Sequence, residues 1–276
     1  MSASAEPYLV IDNVLKRFGS GPEATVAVDH MSFDVKPGEF VSVIGPSGCG
    51  KSTLFNIIGG LLGDYEGEVR VGAERISGPH PSIGMVFQEE STFPWRSVID
   101  NVAFPLELRG VPKAERHDRA HHFIDMVGLS GFAKHYPSQL SGGMKQRVSI
   151  ARTLVSEPQI LLMDEPFAAL DEQTRLLLGD KILQIQQQLN QTTLLITHNL
   201  TEAVQLSDRI VVMTYRPGRL KRIVNIDLPR PRTSEVVGSD AFGHYVAEIW
   251  SDLREEASSG MMDAETTAAR RNRPRG

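Results

Sequence analysis

The stretch GPSGCGKST, residues 45–53, constrains this chain more than any other. It fits the pattern GxxxxGK[ST] and stands between an apolar run, FVSVI, and a helical run, KSTLFNIIGGLL. A strand that turns through glycines into a helix leaves unpaired N–H groups at the helix N-terminus. The helix dipole favours negative charge at the same point. Gly45, Gly48 and Gly50 permit the torsions that turn successive N–H groups inward, with Pro46, Ser47 and Cys49 completing the loop. On this reading Lys51 reaches the β and γ phosphates of a nucleotide, Ser52 offers a hydroxyl to Mg²⁺, and Thr53 caps the α-phosphate. A bland glycine turn is the alternative, and the flanking strand and helix weigh against it.

A second cradle follows at LSGGMKQR, residues 140–147. Ser141 stands where an N-cap belongs, and Gly142 and Gly143 leave the first N–H groups of a helix uncovered. One chain therefore carries two anion sites.

After both lie two apolar runs, ILLMDE and TTLLITH, which read as buried parallel strands because their hydrophobics are continuous rather than alternating. Ligands of such sheets sit at the carboxyl ends of strands. Asp164, Glu165 and His198 fall at those ends, as does the loop after FVSVI. Beside a phosphate loop, paired carboxylates have a use: Asp164 for the metal and Glu165 as the base for an attacking water. The bland readings are a surface strand end and a satisfied core histidine. At a strand end beside the other motifs, His198 suits a γ-phosphate contact.

The runs SFDV, GEVRVG, IGMVFQ, DRIVVMT and RLKRIVNIDL read as further strands, and KAERHDRAHHFIDMVGL as an amphipathic helix. Prolines 94, 105 and 112 change the texture from Glu89, so residues 89 to about 140 form a helical lobe inserted in an α/β core. DLPRPR is a rigid connector. Phe242, Val246, Ile249 and Leu253 then make one apolar stripe on a helix within residues 233–257, and residues 258–276 are expected to be a disordered tail.

The 276 residues suffice for a full core. A net charge of -5 gives no support for nucleic-acid binding. No apolar run approaches the length of a membrane span and the start lacks a signal-peptide pattern, so work at a membrane is expected to pass through a partner. The single cysteine excludes an internal disulfide framework and suits a reducing cytosol.

The ordered set GPSGCGKST, Gln88, LSGGMKQR, ILLMDEP, AALD and His198 resembles the ATP-binding subunit of an ABC transporter, over residues 8 to 232. The resemblance implies a P-loop ATPase core within residues 1–232, with an antiparallel β subdomain and the helical lobe. It implies ATP and Mg²⁺ as ligands, and a second copy of the subunit as partner. It also implies a transmembrane permease, indirectly a solute-binding protein, and a place on the cytoplasmic face of the plasma membrane. Carried over, Phe18 stacks on adenine, Gln88 touches Mg²⁺ and the attacking water, and Asp171 lies in the loop that couples the two sites. In that family the LSGGQ-type helix closes on the ATP of the other subunit, which accounts for two cradles; here Met144 replaces the commoner Gln. TFPWRSVIDNVAFPLELRGVP, VVMTYRPGRL and DLPRPR are similar to the nitrate, sulfonate and taurine importer branch. The segment after the core is too short for the β-barrel domain of maltose-type importers. ATPases of exporters or lipid transporters share the core motifs. Soluble ABC ATPases of DNA repair or translation usually carry coiled coils, zinc-binding cysteines or two ATPase units, which this sequence lacks.

Other features carry two readings. His117 and His121 sit four apart on a helix without a fitting third metal ligand. Arg270, Arg271, Arg273 and Arg275 suit a solvated tail or anionic lipid headgroups. Phe93, Pro94 and Trp95 belong to the lobe core or receive a helix from a membrane partner. Cys49 is a reactive thiolate near a helix N-terminus or an inert loop residue.

Overall fold

Strand periodicity decides which face of the molecule each apolar residue serves. In a computed structural model describing residues 8–21, 24–230 and 232–271, with side chains described to 258, ten strands form two sheets. The first is antiparallel, in the order β2 (Thr25–Val35), β1 (Leu9–Phe18), β4 (Glu66–Val71), β5 (Glu74–Arg75). The second runs β10 (Leu220–Asn225), β9 (Arg209–Met213), β3 (Phe40–Ile44), β8 (Thr192–Ile196), β7 (Ile160–Asp164), β6 (Ile83–Val86). It is parallel apart from β10, which pairs antiparallel with β9.

Successive residues of the central strands point to opposite faces. Ile160, Leu162, Leu194 and Ile196 pack toward α1 (Lys51–Ile58) and the antiparallel sheet. Leu161, Met163 and Leu195 pack toward the helical elements on the other face. Both faces are covered, so both sets are apolar and the strands read as unbroken hydrophobic runs. One buried polar residue of these strands, Ser42, shares a hydrogen bond with Ser207 at 2.5 Å.

Between β6 and β7 the chain is helical: α2 (Val98–Val102), α3 (Phe104–Leu108), α4 (Lys113–Met126) and α5 (Gly142–Leu154). Buried Val98, Val102, Leu106, Phe123 and Ile124 join Val148 and Ile150 of α5 in one cluster. Two helices absent from the sequence reading follow. The first, α6 (Glu172–Leu189), starts at Asp171, whose carboxylate accepts from Thr174 N–H at 2.9 Å, and stops at left-handed Asn190. The second, α7 (Leu200–Leu206), is capped by Asn199, which accepts from Glu202 N–H.

The connector after β10 is pinned by Arg232, a buried guanidinium that donates to the carbonyls of Leu228, Ser207 and Ile226. A short 3₁₀ turn over Ser234–Gly238 then leads into α8 (Asp240–Arg271). Its stripe buries Phe242 and Ile249 and half-buries Val246 and Leu253. Arg222 of β10 holds its other edge through Glu248 at 2.7 Å and Asp252 at 2.5 Å. The expected tail from residue 258 differs from the structure, in which α8 continues to Arg271. Residues 259–271 are polar but hold no proline and several good helix formers, so local propensity extends a helix that packing has already nucleated. Arg270 and Arg271 are in its last turn, and Arg273 and Arg275 lie outside the described residues.

Ile249→Ala should lower stability by about 2–5 kcal/mol, the range for emptying a closed apolar site. The exposed His244→Ala, on the same helix, should stay within about 0.5 kcal/mol of the parent. Urea unfolding of the two variants measures both, and a neutral Ile249→Ala would mean that α8 does not close this core.

Candidate functional site

The carboxyl ends of β3, β6, β7 and β8 lie along one edge of the parallel sheet, and each contributes a polar group to a single cleft of about 620 Å³. After β3 the chain turns through the glycine loop into α1. Gly48 and Gly50 have φ of 73° and 104°. At Gly50 a Cβ would lie 2.3 Å from the Ala27 carbonyl oxygen of β2, so no side chain fits there. Lys51 is 7 % exposed and folds back over the loop, donating to the carbonyls of Gly45 at 2.8 Å and Pro46 at 3.0 Å. Among the described residues no carboxylate pairs with it within 4.0 Å, so its charge remains available to an anion in the cleft.

Asp164 ends β7 beneath this loop. Burial pushes its carboxyl above the usual range, and the Ser52 hydroxyl bonded to it pulls the other way. Its Oδ1 is buried without a hydrogen-bond partner among the described residues. An orphaned carboxylate oxygen beside a hydroxyl suits a hard cation that takes one or two protein ligands and completes its shell with phosphate and water.

The next residue, Glu165, has a left-handed φ of 46°, and its N–H donates to Ile196 O at 2.9 Å. That reversal places its carboxylate among different neighbours from those of Asp164. Glu165 Oε2 lies 3.2 Å from His198 Nδ1 and accepts from Gln88 Nε2 at 3.3 Å. Gln88, Glu165 and His198, from the ends of three strands, thus meet at one oxygen. Glu165 is largely covered, whereas the His198 side chain is 65 % exposed toward the cleft.

Phe18 ends β1 opposite Thr25, a residue of the cleft wall; its ring is 45 % exposed and lies 5.2 Å from Lys16 Nζ. The second cradle is elsewhere. Ser141 Oγ accepts from Met144 N–H at 3.3 Å, capping α5, and Gly142 and Gly143 open the helix, but none of the three lines the cleft. Glu90 and Leu170 crowd them: a Cβ on Gly142 would lie 3.0 Å from Glu90 Oε1, and one on Gly143 2.7 Å from Leu170 Cδ2. Asp171 caps α6 and also stands apart from the cleft.

The paired readings divide. Phe93 is half-buried against Phe104 and Arg152, whereas Trp95 beside it is 72 % exposed. His117 Nε2 lies 3.2 Å from Asp100 Oδ1, and no group of three metal-ligating side chains occurs among the described residues. The thiolate reading of Cys49 is corrected. Its side chain turns into the apolar cluster under the loop and is 1 % exposed. Burial pushes the thiol up, and the Lys51 charge offsets this only in part. Sequence adjacency to a helix N-terminus said nothing of which way the side chain points. Arg216, from the turn after β9, is a cleft residue the sequence reading missed; it became visible only when that turn folded against the loop.

A family model described as ABC transporter matches residues 28–168. An aliphatic sulfonates import ATP-binding protein of Bacillus cereus is 44 % identical over 223 residues, covering 81 % of this chain and 88 % of its own. A nitrate import ATP-binding protein of Synechocystis is 42 % identical over 253 residues, covering 90 % and 95 %. A solved dimeric ATP-binding cassette in a post-hydrolysis state, bound to ADP and Pi, superposes with a TM-score of 0.73 at 33 % identity. That superposition covers 80 % of this chain and all of the solved one.

Iodoacetamide should label Cys49 in the native chain about a hundredfold or more slowly than in urea, because reaction needs local opening. MgATP held by the loop should slow the native rate further, because it opposes that opening. Fast native labelling would return the thiol to the surface.

Proposed function

The chain belongs to the ABC transporter family of ATP-hydrolysing subunits, and from that membership we propose that it powers import of a small solute through a separate membrane permease. The observation that carries the reading is the convergence of the phosphate loop, Gln88, Glu165 and His198 on one cleft, with buried Asp164 bonded to Ser52 of its wall. The nitrate and sulfonate import relatives support a small oxyanion of that kind, with taurine in the same chemical class.

In this reading the N–H groups of residues 45–53 and the α1 dipole hold the phosphates, and Lys51 exchanges its carbonyl partners for phosphate oxygens. Phe18 supplies a face for the adenine. Ser52, Asp164 and Gln88 would hold Mg²⁺, which would supply positive charge to the phosphate oxygens. Glu165 takes a proton from the attacking water, Gln88 orients that water by hydrogen bonding, and His198 directs an imidazole nitrogen to the γ-phosphate. Glu165 and His198 already touch, so the base is positioned by the group that contacts the phosphate.

The distance of Ser141, Gly142 and Gly143 from their own chain's cleft favours use of that cradle on a second copy, with Asp171 in the segment between the sites. ATP then joins a loop on one chain to a helix N-terminus on the other, and hydrolysis releases the pair. The dimeric state of the solved cassette supports this. No helix among the described residues is long and apolar enough to cross a membrane, which accords with action through a permease at its cytoplasmic face, fed by a solute-binding protein. Exposed Trp95 at the lobe edge suits a helix of that permease.

Glu165→Gln should lower turnover by about 10²–10⁴-fold while keeping ATP affinity, and wild-type turnover would remove Glu165 from the base role.

Two further variants test the cross-chain cradle: Lys51→Ala damages the phosphate loop, and Ser141→Arg blocks the α5 N-terminus. Each alone should fail to occlude ATP. A mixed dimer places both lesions in one site and none in the other, so it should trap about one ATP per dimer. Verified mixed dimers that trap none, under conditions where wild type does, would place the cradle in its own chain.

A further inference from the structure

One cation in the cleft has no place in the scheme above. Arg216 follows β9 in the stretch VVMTYRPGRL. The turn that carries it is tied on three sides. Gly218 N–H donates to Ala27 O at 3.2 Å and Asp29 N–H to Gly218 O at 2.9 Å, fixing the turn to β2. Thr214 Oγ1 donates to Pro217 O at 2.8 Å, closing it internally. Tyr215 N–H donates to Glu256 Oε2 at 2.9 Å, joining it to α8. A turn so held delivers its arginine to a defined place.

That place is the mouth of the phosphate loop. Arg216 Nε donates to Gly48 O at 2.9 Å. Its Nη2 lies 2.7 Å from where a Cβ on Gly48 would be, so the guanidinium occupies the space that glycine leaves. Neighbouring arginines are neutralised: Arg219 pairs with Asp29, Arg222 with Glu248 and Asp252, and Arg209 with Glu39. Among the described residues Arg216 pairs with no carboxylate, and its Nη groups have no hydrogen-bond partner. It therefore presents a full charge and an unused planar fork to a cleft built for an anion.

We propose that Arg216 is a phosphate contact for bound nucleotide, acting at the α- or β-phosphate rather than at the γ. The turn is bonded to β2, whose Thr25–Ala27 segment lines the cleft on the side of Phe18. Among the described residues, Glu165 and His198, which mark the hydrolytic end, form no hydrogen bond or ion pair with it. The assignment rests on the reading of this cleft as the ATP site.

The test is equilibrium binding of ATP and ADP, with Mg²⁺, to wild type, Lys51→Ala and three variants at position 216. Arg216→Ala should weaken ATP and ADP alike by about 10- to 100-fold, the loss expected for one charge-assisted hydrogen bond in a partly open site. Arg216→Lys keeps the charge and should recover part of the loss. Arg216→Gln keeps a donor for the Gly48 carbonyl without the charge, and should bind as poorly as Arg216→Ala. Unchanged affinity in Arg216→Ala overturns the proposal. So does wild-type affinity in Arg216→Gln, which would make the residue a clamp on the loop. A loss confined to ATP overturns the placement at the shared phosphates. If instead wild type binds neither nucleotide and Lys51→Ala changes nothing, the reading of the cleft itself fails.

Discussion

At Gly50 the backbone passes so close to β2 that the approach joins the two sheets of this molecule. A Cβ there would sit 2.3 Å from Ala27 O, and at Gly218 another would sit 2.1 Å from Cys49 O. Three segments far apart in sequence meet backbone to backbone around one loop. Below the contact, Leu54, Phe55, Ile57 and Ile58 of α1 share one core with Leu9 and Ile11 of the antiparallel sheet and Val41 and Val43 of the parallel one. The loop therefore cannot shift without disturbing that core, because close-packed interiors transmit displacement instead of absorbing it. A rigid ring of N–H groups is what a phosphate site needs, and the packing that makes it rigid is the packing that holds the fold.

The same sheet edge separates two adjacent carboxylates. In a strand, neighbours already face opposite ways, but Asp164 and Glu165 are separated further by the left-handed turn at Glu165. Asp164 is bonded by Ser52 and pushed toward its neutral form by burial. Glu165 is bonded by Gln88 and His198 and opens to the cleft. Two adjacent carboxylates are thus given different neighbours by one backbone reversal.

What could be read from the sequence was what short-range chemistry determines. The phosphate loop, the buried runs of β3, β7 and β8, and the carboxylates at their ends depend on residues within a few positions of one another. Helix α6 was legible in principle: Leu178, Ile182 and Ile185 recur at helical spacing after an Asp cap, but the glutamine-rich surface around them blurred the pattern. Cys49 left two readings open because its distance from the helix N-terminus is local, whereas its direction is set by the apolar cluster below. Arg216 was out of reach for a different reason. It enters the cleft only because the turn between β9 and β10 pairs with β2, nearly the whole length of the domain away.

The two cradles are connected even within one chain. Gln88 lies in the segment after β6, and α5 grips that segment along its length. Gln146 Nε2 donates to Phe87 O at 3.1 Å, Lys145 Nζ pairs with Glu90 at 2.9 Å, and Arg152 donates to Ser91 O at 2.7 Å. Arg152 also lies over the ring of Phe93, 5.1 Å from its centroid. Any force on the N-terminus of α5 is thus carried to the residues on both sides of Gln88, whose amide reaches Glu165. The bonds are short, partly buried and spread over two turns of one helix, so helix and segment move as a unit in preference to sliding past one another. The helix N-terminus that Gly142 and Gly143 open is in this way tied, through α5, to the segment that carries Gln88.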